Sequence, residues 1–206
     1  YLAGNRGLTT NLSVQNTANA AANVVVTFYN PNGTPAGVAR TALSPYQKQN
    51  VTPAGSGLPA GWSGQAIVRS ATAIAAVANT NGAELSTAYA GVVVASARGS
   101  LPLIRWAAPA DAKGLRTTIE VMNADPGLAA DITIRYYDQA GALVNAPSFR
   151  NVPPAGKVTH SPGEFVGDGA FSGTVEIEGS RGVVGAVSAV SVDGASMETY
   201  TSMPIP

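Results

Sequence analysis

Apolar and polar residues alternate with a period of two along most of this chain. Val24, Val26 and Phe28 alternate with Val25, Thr27 and Tyr29, and Ile132, Ile134 and Tyr136 alternate with Thr133, Arg135 and Tyr137. That period marks strands with one buried and one outward face. Asn30-Pro31-Asn32-Gly33 and Asp138-Gln139-Ala140-Gly141 follow with hairpin turn chemistry, and Pro-centred turns come next at Ser44-Pro45 and Pro153-Pro154. Trp62, Gly64, Ala66 and Val68 then share one face, as do Phe171, Gly173, Val175 and Ile177. The small apolar runs AIAAVAN (73–79) and GVVGAVS (182–188) predict strands buried on both faces. Helical spacing is sustained nowhere.

The same elements are written twice. GLTTNLSVQN (7–16) aligns with GLRTTIEVMN (114–123) at an offset of 107, and ANVVVTFYNPNG (22–33) with ADITIRYYDQAG (130–141) at 108. LSPYQKQNVTP (43–53) aligns with VPPAGKVTHSP (152–162) at 109, and GWSGQAIVRS (61–70) with AFSGTVEIEG (170–179) at the same offset. The offset steps only at turns, where loops accept insertions. About seven short strands per copy, with regular turn signals, predict an all-β protein. We expect two tandem immunoglobulin-like β-sandwich domains related by internal duplication. Their expected spans are 1–100 and 101–206, with a connector at about 105–114 and the two domains closely docked.

Composition narrows the functional classes. Only 12% of the 206 residues are charged and the net charge is zero, which argues against nucleic acid as a partner. Residues 1–100 carry Arg6, Arg40, Lys48, Arg69 and Arg98 against Glu84 alone, so a basic half precedes an acidic one. Opposite fields of this kind steer head-to-tail association. The absence of Cys removes thiolate catalysis, Cys-based zinc sites and disulfides. No run of about 18 apolar residues is present, so no membrane span is expected. A start at Tyr1 without a leader suits a secreted surface protein whose signal peptide has been removed.

Candidate chemistry is sparse. The one histidine, His160, aligns with Val51 and reads as a packing residue, not a triad base. Glu176 and Glu178 lie two apart on one strand, but Ile67 and Arg69 stand there in the first copy, unlike a paired-carboxylate glycosidase site. Glu164 and Asp168 in GEFVGDG come nearest to an oxygen-rich calcium loop, and read as a turn. No cofactor and no enzyme activity are expected. Tyr29, Tyr89, Tyr137 and Tyr200 recur between copies as framework, whereas Tyr1, Tyr46 and Trp106 have no aromatic counterpart and are candidate contact residues. The sequons at Asn11, Asn32 and Asn50 are candidate glycosylation acceptors.

The remaining signal is an echo. Leu101-Pro102-Leu103-Ile104 stands near the middle of the chain and Met203-Pro204-Ile205-Pro206 at residues 203–206. An inter-domain strand through Leu101, Pro102, Leu103, Ile104 and Trp106 precedes the second copy. At the offset of 107, Tyr1 falls opposite Ala108, so the first copy lacks that strand. Each tetrapeptide either closes its own domain or belongs to the next. The second option makes Met203, Pro204, Ile205 and Pro206 a donor strand for a neighbouring copy, with Tyr1, Leu2, Leu8 and Leu12 on the acceptor side.

The stretches TTNLSVQN, VVVTFYNPNG, LPAGWSGQAIVRS and LPLI resemble the repeated β-sandwich modules of large secreted bacterial surface proteins. The two ends are similar in principle to donor-strand pilins and extracellular bundling pili. These resemblances imply a non-enzymatic, extracellular, head-to-tail homopolymer. The alternative is a monomeric adhesion module for surface glycans or a partner protein.

Overall fold

The computed structural model describes the chain apart from Tyr1, Arg6, Glu84 and Pro206, with the backbone alone for residues 2–5 and Ala54. The chain is all-β and divides into two compact units, Tyr1–Gly91 and Val92–Pro206. The division falls upstream of the expected 100/101 because Ser96 already pairs with Val183 of the second unit. Residues 105–114, expected as the connector, lie within that unit. Arg105 and Trp106 end a strand, and two tight turns lead to Gly114.

Unit 1 contains β1 (Leu2–Asn5), β2 (Leu8–Asn16), β3 (Ala22–Tyr29), β4 (Pro35–Leu43), β5 (Lys48–Val51), β6 (Trp62–Ser63), β7 (Gln65–Arg69), β8 (Ile74–Asn81) and β9 (Ser86–Ala90). One sheet runs β6-β1-β2-β8-β9 with β5 also on β2, and a second runs β4-β3-β7. Leu12, Val14, Val24, Val26, Phe28, Leu43 and Trp62 fill the core in the sandwich-like arrangement that strict alternation dictates.

Unit 2 contains β10 (Ser96–Trp106), β11 (Leu115–Asn123), β12 (Ala130–Asp138), β13 (Leu143–Asn145), β14 (Ser148–Val152), β15 (Lys157–His160), the single helical turn α1 (Gly163–Val166), β16 (Phe171–Ser191), β17 (Met197–Thr201) and β18 (Met203–Pro204). β16 is one strand of 21 residues where the sequence suggests two. Residues 173–179 pair with β12 and 183–191 with β11, so the strand changes partners at the Gly179–Gly182 corner. At the matching place in unit 1 the chain breaks between β7 and β8. The runs expected to be buried on both faces are buried on one: Ala75 and Val77 point outward, as do the half-buried Val184 and Ala186.

Register ties the copies together residue by residue. Asn16 faces Ile74 and Asn123 faces Val183; Val26 faces Val68 and Ile134 faces Ile177; Ala78 faces Tyr89 and Val187 faces Tyr200. A buried asparagine closes the first strand of each repeat. The Asn16 amide donates to the carbonyls of Ala20 (2.6 Å) and Ser44 (3.0 Å) and accepts from the Ala18 N–H (3.0 Å). Asn123 likewise donates to Leu128 (2.8 Å) and Val152 (2.9 Å) and accepts from Asp125 (3.0 Å). Both are fully buried, so each amide replaces water for strand ends that would otherwise lack partners.

Beside it sits the Pro-centred turn, closed by Gln47 N–H to Ser44 O (3.1 Å) and Gly156 N–H to Pro153 O (2.9 Å). Tyr46 and Ala155 take positive φ of 61° and 53° at its third position, where glycine is the ordinary choice. The strain is tolerated because the backbone N–H of Asn16 and of Asn123 holds the turn through Gln47 O and Gly156 O.

Asn123→Ala leaves those groups unpartnered inside unit 2 and is expected to cost about 2–4 kcal/mol in chemical denaturation. A loss under about 0.5 kcal/mol would show that the asparagine is not the tie described.

Candidate functional site

The site begins with the edge that β10 covers. Its sequence, SARGSLPLIRW, alternates well enough to form a strand and places Leu101 and Ile104 inward, both with no exposure. Arg98, Gly99, Ser100 and Leu101 lie opposite Glu178, Ile177, Glu176 and Val175 of β16. The register slips between Leu101 and Ile104, so Pro102, which has no N–H to give the ladder, sits at an irregularity with Leu103 exposed. Tyr200 donates its hydroxyl to the Leu103 carbonyl, and burial pushes its pKa up to about 12. Beneath β10, Val175, Ile177 and Val183 are at most 5% exposed.

Unit 1 presents the same surface differently. Ala3 lies opposite Trp62 and Thr9 just as Trp106 lies opposite Phe171 and Arg116. β1 therefore stands in for the end of β10, and the alignment of Tyr1 with Ala108 at the offset of 107 is corrected. Trp106 corresponds to Ala3, because the loop after Trp106 is longer than the one after Ala3. Residues 66–69 of β7 match residues 175–178 of β16. They pair with β3 on one side, and among the described residues no strand pairs with the other side. Ala66, Val68 and Ile74 are only partly buried where Val175, Ile177 and Val183 are closed off. A depression of ≈ 510 Å³ opens beside β7, lined by residues including Asn23, Val68, Arg69 and Ile74.

The expected donor and acceptor residues fall as follows. Met203 and Pro204 form β18 and lie opposite Ser100 and Gly99 of β10, with Ile205 N–H donating to Arg98 O at 3.1 Å. Met203 nevertheless remains 54% exposed. Tyr1 and Pro206 lie outside the described residues. Leu2 pairs through its backbone with Ser63 of β6. Leu8 is half-buried, and Leu12 sits inside the core of unit 1 with its backbone paired to β5 and β8. Trp106 donates its indole N–H to Gly167 O at 3.2 Å, and the Arg116 guanidinium lies 4.9 Å above its ring, so this aromatic is engaged within its own unit. Tyr46 is exposed on its turn. Of the sequon asparagines, Asn32 is exposed on a turn, Asn50 is exposed on β5, and Asn11 is half-buried within β2.

Residues weighed for chemistry are held by neighbours. Glu176 is bonded by Arg98, whose hydrogen bond keeps the carboxyl below its ordinary pKa, and it also accepts from the Tyr137 hydroxyl at 3.3 Å. Glu178 pairs with Arg135. Glu164 accepts a hydrogen bond from the Ser161 N–H (2.9 Å), and no group of three metal-ligating side chains occurs among the described residues. No helix of the described residues is long and apolar enough to cross a membrane.

His160 is buried against Phe149, Phe165 and Tyr136, whose hydroxyl lies 2.7 Å from Nδ1. The equivalent pair in unit 1 is Phe28 and Val51, so both polar groups appear together or not at all. That is the pattern of a core hydrogen bond.

No family model matches the chain and no curated protein is similar to it. Two solved β-glucuronidase structures align with it. One, from glycoside hydrolase family 2, covers 97% of this chain and 22% of its own at 13% identity and a TM-score of 0.19. The other, Bacteroides uniformis β-glucuronidase 2 covalently bound to cyclophellitol-6-carboxylate aziridine, covers 94% and 24% at 10% identity and a TM-score of 0.18. The chain thus spans less than a quarter of either, and likenesses this distant carry no conclusion.

Two outcomes follow for the histidine. His160→Val alone strands the Tyr136 hydroxyl and is expected to cost about 1–3 kcal/mol. Adding Tyr136→Phe should recover part of that loss in a double-mutant cycle, and strict additivity would contradict the pairing. Burial lowers the His160 pKa below its ordinary 6.5, and the nearby Glu164 carboxylate opposes the shift only in part. The unfolded chain therefore binds the proton first, so unit 2 should lose stability as pH falls below 6.5. A denaturation series from neutral to acidic pH should show this sag in the wild type and its absence in His160→Val.

Proposed function

We propose that this chain is a non-enzymatic structural protein of the cell exterior whose copies join head to tail by strand addition. In this reading each unit is an immunoglobulin-like sandwich, and residues 203–206 of one copy pass to the next. One observation carries it. Unit 2 seats a strand on the edge of residues 175–178, while the matching edge of unit 1, residues 66–69, has none among the described residues. An edge left open in this way is a template for another strand.

The energetics favour exchange over permanent attachment. β18 is a ladder of two residues at a sheet edge, so releasing it gives up a few hydrogen bonds worth about 0.5–1.5 kcal/mol each. Burying a methionine side chain fully returns about 1.5–3 kcal/mol, and new ladder bonds replace the old. The balance lies close enough to zero for concentration to decide it. A basic first half and an acidic second half also bring unlike ends together. A contact between two different surfaces of one molecule does not close on itself, so repeated addition yields a filament.

Electron microscopy of the purified chain at rising concentration is expected to show filaments. Removing residues 203–206 should abolish them while circular dichroism and melting of both units stay nearly unchanged, since Met203 and Pro204 bury little. A stable monomer at high concentration would instead favour the adhesion reading.

A further inference from the structure

Resting on that reading, we propose that the acceptor is the β7 edge at residues 66–69, in place of Leu8 and Leu12. Its occupant is the Met203-Pro204-Ile205 segment of a second copy, seated in the register that Leu101-Pro102-Leu103 holds on β16. In that register Met203 lies opposite Ala66, as Leu101 lies opposite Val175.

Three observations place it there. The first is backbone: Ala66, Ile67, Val68 and Arg69 match the β16 residues that pair with Leu101, Ser100, Gly99 and Arg98, and β7 has β3 alone as its described neighbour. The second is burial. Val175, Ile177 and Val183 are sealed beneath β10, whereas Ala66, Val68 and Ile74 are only partly buried. The third is the occupant. Ser202-Met203-Pro204-Ile205 repeats the Ser100-Leu101-Pro102-Leu103 pattern, with Pro204 at the place of Pro102, where the β10 ladder slips. Met203 is 54% exposed where it now sits, so its apolar side chain is available for burial.

The change of side chains fits the exchange. Alanine stands at 66 where unit 2 has Val175, and the unbranched methionine is longer than the leucine it would replace. A smaller residue on the acceptor is met by a longer one on the donor. Leu12, by contrast, is paired on both sides and filled from within, so it has no open edge to offer.

The chain has no cysteine, so a disulfide can report the register directly. Ala66→Cys chains mixed with Met203→Cys chains under mild oxidation are expected to form a covalent dimer at least tenfold faster than Met203→Cys mixed with the exposed Ala42→Cys. An excess of a synthetic peptide with the sequence of residues 98–104 should suppress it. Ile67→Cys with Ser202→Cys reads the same register on the outward face should Ala66→Cys fail to fold. Filaments by microscopy without either disulfide would overturn this acceptor and leave assembly standing. Neither filaments nor disulfide would overturn both. A fast disulfide confined to a single chain of the Ala66→Cys, Met203→Cys double variant, with none between mixed single variants, would overturn the second copy as occupant.

Discussion

A sandwich is sealed where a strand closes the sheet edge that borders its core, because an open edge exposes both ladder groups and the apolar side chains behind them. In this chain that closure is the pairing of β10 with β16. Leu101 and Ile104 enter the core from β10, and Val175, Ile177 and Val183 are shut off from water beneath it. Unit 1 has the same ladders elsewhere but, among its described residues, no strand over residues 66–69. Among the differences between the two units is the strand that covers this edge, and the proposed assembly follows from where no described strand covers it.

The rest of each unit is fixed by features that recur in both. A buried asparagine ties the end of the first strand to a turn whose third residue carries positive φ, and an edge-to-face aromatic pair, Phe28–Trp62 or Tyr136–Phe171, fills the centre. Where the copies differ, the differences are paired. Tyr136 with His160 replaces Phe28 with Val51, so no polar group is buried alone. Such compensation marks these residues as framework. Ala66 and Val68, by contrast, pack against the core of unit 1 while only partly buried.

Much of this was legible in the sequence because it is local. Alternation at residues 24–29 and 132–137 placed Val26 and Ile134 inward, and the Asn-Pro-Asn-Gly turn ended the first of those strands. The repeat offsets matched residues that the ladders later pair identically. What failed was non-local. An offset of 107 aligned Tyr1 with Ala108, although the ladders make Ala3 the counterpart of Trp106, because the extra loop residues after Trp106 shift the frame without altering the alternation. Nor does periodicity reveal which strand lies beside which. Leu8 and Leu12 look like exposed acceptor residues by apolar position alone, while Leu12 is core, and the edge that no described strand covers lies at residues 66–69. In the sequence, residues 171–179 and 182–188 read as separate strands, whereas β16 runs through the Gly179–Gly182 corner as one strand.

The most direct measurement is amide hydrogen exchange in the unaltered chain across a range of protein concentrations. Amides of residues 66–69 that face away from β3 are expected to exchange freely when the chain is dilute and at least tenfold more slowly once it assembles. Those of residues 175–178 should be protected throughout. Exchange at residues 66–69 that stays unchanged through assembly would contradict strand addition at this edge.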